Sequence, residues 1–263
     1  MESKTSVTND LDGKFAVILG GTSGMGYAAA ERFLAAGAKV LATGRSRETI
    51  EKARQALNGP FEAVQADIAD YEATREAIEK GVSRFGGIDV FYQVAGIGQF
   101  APFELANSEH YERMIKVDLT APIVALLNAR KHLNDGASVI FTTTSASTRA
   151  MPTMSAYGAA KAGLAQFARV LALELAARKI RVNVISPGPI DTPMIKKVGL
   201  PEPQAEATRQ FFTAVTPLGR FGNASEVAEA AHFLASAKSS FVTGVTLEVD
   251  GGFSESWHLP PAA

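Results

Sequence analysis

The chain has no cysteine among its 263 residues. That excludes a disulfide framework, thiolate chemistry and cysteine-ligated zinc. Net charge is nearly absent too: 26 Lys and Arg face 27 Asp and Glu, a formal -1. Such a balance argues against a nucleic-acid or anionic-membrane partner. The four histidines, His110, His132, His232 and His258, show no metal-ligand spacing, so no metal site is expected. No stretch reaches the roughly 18 uninterrupted apolar residues of a membrane span. Residues 1–12 form a polar, flexible arm without a signal-peptide core. A soluble cytoplasmic protein is the expectation. A chain of this length buries roughly three quarters of its unfolded surface, so one domain over 13–263 needs no cross-link or metal.

What is present is a regular alternation. Short apolar strands are predicted at 15–19, 39–42, 61–65, 88–94, 138–142, 181–185 and 245–249. Helical patterns lie between most of them, at 25–36, 47–57, 71–85, 108–133, 156–178 and 225–235. Repetition of this kind predicts a single-domain α/β fold: a doubly wound parallel (Rossmann) sheet with helices on both faces. The rhythm breaks at 187–222, which is rich in Pro and Gly and holds the Phe211-Phe212 pair. A long irregular insertion there, about 190–222, predicts a substrate lid.

The first strand runs into Gly20-Gly21-Thr22-Ser23-Gly24-Met25-Gly26 and then a helix. Gly20 allows a tight turn, Gly24 lets backbone approach a pyrophosphate, and Gly26 lets the helix pack on the sheet. Amides at the helix N-terminus then face the phosphates. The run is not a Walker A loop, since Tyr27-Ala28 stands where Lys-Ser/Thr is required. A dinucleotide is therefore expected, held in part by Gly20, Thr22, Ser23, Gly24, Met25 and Gly26. The second strand ends Thr43-Gly44-Arg45-Ser46-Arg47, without the carboxylate that holds a free ribose 2′-hydroxyl. Arg45, with Ser46 beside it, can fork onto a 2′-phosphate, which favours NADP(H) over NAD(H). Asp67, after the third strand, can accept from an adenine amino group or cap the next helix.

Tyr157 and Lys161 lie one helical turn apart. A phenol with an ordinary pKa near 10 is about one part in a thousand ionised at pH 7. Lowering it by about three units takes roughly 4 kcal/mol, which Lys161 would share with an oxidised nicotinamide. The pair is read as the acid/base of hydride transfer between a carbonyl and an alcohol. Upstream, Phe141-Thr142-Thr143-Thr144-Ser145 supplies hydroxyls to hold the substrate oxygen.

Together these motifs resemble the short-chain dehydrogenase/reductase family, and a 3-oxoacyl-carrier-protein-reductase-like member of it. The resemblance covers about 11–252. It rests on the glycine run, Asp67-Ile68, Ala95-Gly96, Tyr157-x-x-x-Lys161, Ser186-Pro187-Gly188-Pro189 with Thr192, and Val249-Asp250-Gly251-Gly252. It implies that Tyr157 is the catalytic acid/base and that Lys161 tunes it and grips the ribose. Pro187, Gly188, Ile190 and Thr192 would hold the nicotinamide, and Ile68, Val94, Ala95 and Gly96 would line the adenosine side. It also implies a homotetramer packed through the helices at 108–133 and 156–178. The chain departs from the family at Leu19, where Thr is usual, and at Gln93, where Asn is usual. The family's serine position is Thr144 with Ser145 next to it, and either hydroxyl can serve. Asp118 replaces an Asn that organises relay water; its charge should oppose Lys161, giving slower turnover or a higher pH optimum. A dinucleotide sensor or scaffold with little catalysis remains an alternative, as does a lyase or epimerase using the cofactor internally. Around the site Ile97, Phe100, Met151, Met154, Met194, Phe211 and Phe212 predict an apolar carbonyl or alcohol substrate. Trp257 could close a neighbouring subunit's pocket.

Overall fold

A computed structural model describes residues 9–193 and 202–256. The first eight residues of the arm, lid residues 194–201 with Met194, and the tail from Trp257 lie outside the described residues. The predicted α/β alternation is present. β1 (Phe15–Leu19), α1 (Gly24–Ala35), β2 (Lys39–Gly44), α2 (Arg47–Ala56), β3 (Phe61–Gln65), α3 (Tyr71–Phe85) and β4 (Ile88–Gln93) form the first half. The second half contains α4 (Ser108–Ile115), α5 (Ala121–Ala129), β5 (Leu133–Thr142), α6 (Ser155–Glu174) and β6 (Arg181–Pro187). It closes with β7 (Ile190–Asp191), α7 (Glu202–Val215), β8 (Gly222–Asn223), α8 (Ala224–Ala235) and β9 (Thr246–Val249).

Seven strands make one sheet in the order β3-β2-β1-β4-β5-β6-β9. All its ladders are parallel, so this is the doubly wound Rossmann arrangement. The order reverses between β1 and β4, which opens a crevice at their carboxyl ends. β1 is buried along its whole length, as a strand covered on both faces must be. One face carries α3, α5 and α6 over Val17, Phe91 and Phe141. The other carries α1 and α8, with Phe33 and Leu234 over Ile18 and Ile140. Each fully buried Phe contributes roughly 2–3 kcal/mol to this packing.

Two expectations are corrected. The helix predicted over 108–133 is divided: a π-helical turn, Lys116–Thr120, separates α4 from α5, and β5 already begins at Leu133. The segment expected to be irregular after β6 contains α7 and the short β7–β8 ladder. Its Pro and Gly residues flank α7 and do not interrupt it beyond the first turn.

Candidate active site

A cleft of about 610 Å³ opens at the switch point. Predicted residues at 20, 22–25, 45–46, 67–68 and 94–96 line it, as does Thr192 from across the crevice. Gly26, Tyr157, Lys161, Pro187, Gly188 and Ile190 do not line it. Gly26 acts on the turn instead: a Cβ there would stand 2.1 Å from the Gly20 carbonyl oxygen, so only glycine lets α1 start this close to it.

The start of α1 suits an anion. Ser23 makes no side-chain cap, and the first turn holds no acidic residue. The amides there remain directed at the cleft, with the positive end of the helix behind them. Beside them, Thr49 Oγ1 donates to the Ser46 carbonyl at 3.0 Å, so Thr22 Oγ1 donates to Thr49 Oγ1 at 3.1 Å. Arg45 reaches Asp67 only at 3.8 Å, and both side chains are about half exposed, so that pair holds neither tightly. Asp67 does not cap α3. Its Oδ1 accepts from Ala69 N at 3.0 Å, and the cap is Asp70, which accepts from Ala73 N at 3.0 Å. These residues fit a dinucleotide: open helix amides for a pyrophosphate, a cation and hydroxyls beyond β2, and no carboxylate at its end. Thr49 and Arg113, which also line the cleft, were missed in the sequence. Thr49 lies three residues after the Ser46 cap and Arg113 one turn before Val117, the spacings that could have found them.

The tyrosine end is closed. Tyr157 is 9% exposed, and the Phe100 ring stands edge-on to it at 5.7 Å. The Phe100 loop is tied down by Ala101 N, which donates to the Thr153 carbonyl at 2.9 Å. Thr153 holds φ at 71°, strained for a β-branched residue. Lys161 Nζ lies 5.9 Å from the Tyr157 ring centre and donates to the Thr142 carbonyl at 3.1 Å. It is paired with Asp118 Oδ1 at 3.2 Å, and Asp118 is fully buried on the π-turn. Ile97 N donates to the same oxygen at 3.3 Å, while Oδ2 has no partner among the described residues. Gly96 lies directly over the pair: a Cβ there would be 2.5 Å from Asp118 Oδ1 and 3.3 Å from Lys161 Nζ. The dinucleotide cleft and the buried charges thus share one glycine as a wall.

The electrostatics around Tyr157 are set chiefly by burial. Burial pushes the Tyr157 phenol above its ordinary range, and the Asp118 carboxylate pushes it further. A hydrogen bond from the Thr144 hydroxyl acts in the opposite direction. Lys161, the expected source of lowering, is paired with Asp118 at 3.2 Å, and a paired cation favours a phenolate less. Burial also raises the Asp118 carboxyl, against the pull of Lys161. Of the two candidate hydroxyls, Thr144 is the one that acts on the phenol, and it favours ionisation. Ser145 is buried in the following turn, where its carbonyl accepts from Thr148 and Arg149. Gln93, in the usual Asn position, is fully buried and donates to the Ala95 carbonyl, so it holds the 94–96 wall.

Among the described residues no helix is long and apolar enough to cross a membrane. None of their His, Asp and Glu form a group that could hold a metal ion.

Comparison with known proteins gives consistent matches. The family profile described as enoyl-(acyl carrier protein) reductase matches residues 20–254. The 3beta-hydroxysteroid dehydrogenase 1 of Eggerthella lenta is 37% identical over 255 residues, covering 94% of this chain and 95% of that one. A short-chain dehydrogenase/reductase from Serratia marcescens is 30% identical with a TM-score of 0.85, covering 93% of this chain and 99% of that one. A blue fluorescent protein from a metagenomic library, solved in complex with NADPH, is 32% identical with a TM-score of 0.83, over 93% and 99% of the two chains.

Proposed function

This chain belongs to the short-chain dehydrogenase/reductase family, and on that premise we propose that it moves hydride between NADP(H) and an apolar carbonyl compound or its alcohol. It is an NAD(P)-dependent oxidoreductase; the choice of NADP, the roles of the residues and the substrate class are our reading. The observation that carries it is the meeting of Tyr157, Thr144, Lys161 and Asp118 behind Gly96, at the edge of a cleft fitted to a dinucleotide.

A bound nicotinamide dinucleotide supplies or accepts the hydride. The turn from Gly20 to Gly26 holds its pyrophosphate, and Arg45 with Ser46 takes the 2′-phosphate. Asp67, Ile68 and the 94–96 wall seat the adenosine. Thr192, with Pro187, Gly188 and Ile190 behind it, orients the nicotinamide. Tyr157 gives its phenolic proton to the substrate oxygen in reduction and takes it in oxidation. Thr144 donates to the oxygen that carries charge, and Lys161 steadies the ribose. Asp118 sets how readily the phenol ionises by neutralising Lys161.

Support for NADP is the pairing of Arg45 with a β2 end that has no carboxylate, together with NADPH in a similar structure. Support for an apolar substrate is the wall beside Tyr157, where Ile97, Met151 and Met154 pack and Phe100 stands edge-on. A relative named for a hydroxysteroid agrees with it. Exposed Leu127 on α5 and Val170 and Leu173 on α6 support assembly through these helices into a tetramer.

The test is consumption of NADPH and NADH by the purified protein with a panel of apolar cyclic ketones. NADPH should be consumed, and preferred to NADH. Tight NADPH binding without turnover across the panel would overturn the enzyme reading in favour of a sensor. Preference for NADH would overturn the cofactor assignment.

A further inference from the structure

Arg149 follows the turn that carries Thr144 and Ser145. Its own amide donates to the Ser145 carbonyl at 2.9 Å and closes that turn. Its side chain leaves for a region more than a hundred residues away. Nη1 donates to the Phe253 carbonyl and to Ser256 Oγ, the latter at 2.9 Å. The guanidinium lies over the Phe253 ring, 4.6 Å from its centre. Phe253 is 2% exposed and Ser256 9%. The segment around them is internally hydrogen-bonded: Asp250 accepts from Gly252 N at 2.9 Å and Ser254 N at 2.6 Å. The Phe253 ring also packs against Phe212 of α7, with centroids 5.8 Å apart. One buried ring is therefore contacted both by the catalytic turn and by the helix of the insertion.

The chemistry of the contact singles out arginine. Its acceptors are a carbonyl and a hydroxyl, both neutral. Desolvating a cation against neutral acceptors gains little for stability, and an apolar side chain could cover the ring as well. What only a planar guanidinium provides is a fixed direction, from stacking on the ring while donating past its edge.

We propose that Arg149 is a positioning residue: it locks the turn bearing Thr144 and Ser145 onto segment 250–256, and through Phe253 and Phe212 it couples that turn to α7. Seating of α7 and alignment of the Thr144 hydroxyl with Tyr157 are then one event. The catalytic part rests on the proposed role of Thr144 and Tyr157; the coupling itself does not.

Arg149→Met keeps length and apolar contact but has no donors, and Arg149→Lys restores a donor. On the full chain, Arg149→Met should lower kcat about tenfold or more, with NADPH affinity held within about twofold. Arg149→Lys should recover part of the loss. Hydrogen exchange should quicken at the 148 and 149 amides and along 202–215 together. Combined with Phe212→Ala, the loss in kcat should fall short of the product of the two single losses. Unchanged kcat and exchange in Arg149→Met would overturn the proposal, as would independent effects in the double variant or faster exchange spread over the whole chain. The exchange measurement needs no turnover. A parent protein that reduces no carbonyl would sink the proposed function and leave exchange to decide the coupling.

Discussion

At one end of the cleft stand main-chain amides at the start of α1, fixed by a glycine turn and backed by a helix. At the other end stand side chains: Tyr157, Lys161 and Asp118 are buried, Thr144 is half-buried beside them, and the Phe100 ring is edge-on to Tyr157. The first end is open and finished as it stands: its shape depends on φ, ψ and the absence of Cβ atoms. The second is closed, and its behaviour depends on charges that nearly cancel at 3.2 Å. Backbone sites tolerate little substitution and have little to tune. Side-chain sites can be retuned by one residue, and Asp118 is such a residue.

The two ends should therefore fail separately. Tyr157→Phe should have the largest effect, a loss of about a thousandfold or more in turnover, while NADPH titration stays close to the parent. If cofactor affinity collapsed with activity, the two ends would not be separable. Thr144→Ala should cost about a hundredfold in kcat, and Ser145→Ala distinctly less. The reverse order would return the hydroxyl role to Ser145. Arg45→Ala should weaken NADPH by about tenfold and leave NADH nearly untouched, which a pair of KM determinations reads directly. Equal losses for the two cofactors would remove Arg45 from the 2′-phosphate.

Asp118→Asn should have the smallest effect in rate and the most informative one in pH. The carboxylate raises the Tyr157 phenol, so its removal lets the phenol ionise at lower pH. In the oxidising direction, where the phenolate is the base, the acid limb of the kcat profile should move down in pH. The rate at neutral pH should rise by about a few-fold. An unmoved profile would mean that Asp118 does not act on the phenol. A changed preference between NADPH and NADH would break the separation of the two ends.

Legibility in the sequence followed the same division. The glycine turn and the seven strands were readable because backbone geometry restricts which residues can stand there, and because doubly covered strands are apolar throughout. The Tyr157–Lys161 spacing was readable because a helix repeats every 3.6 residues. Asp118 was recognised as unusual, but not that it is fully buried and leaves one oxygen without a partner among the described residues. The proposed choice of Thr144 over Ser145 rests on which hydroxyl acts on the phenol, and spacing along the chain does not encode that. Phe100 on Tyr157 and Arg149 on Phe253 join segments far apart in the chain, and no local pattern encodes such contacts. Helix α7 was hidden because the Pro and Gly residues around it read as an unbroken loop.

The wide turn at Lys116–Thr120 has a consequence of its own. One surplus residue in a helical turn rotates everything after it by roughly 100° relative to a regular spiral. A helical wheel drawn straight through residues 108–129 would set the inner face of one half about a quarter-turn away from that of the other. The acid beside Lys161 is thus specified by chain length as well as by its letter. Removing a single residue from this stretch would re-phase α4 against α5 and swing residue 118 away from the ammonium, an outcome no exchange of side chains could imitate.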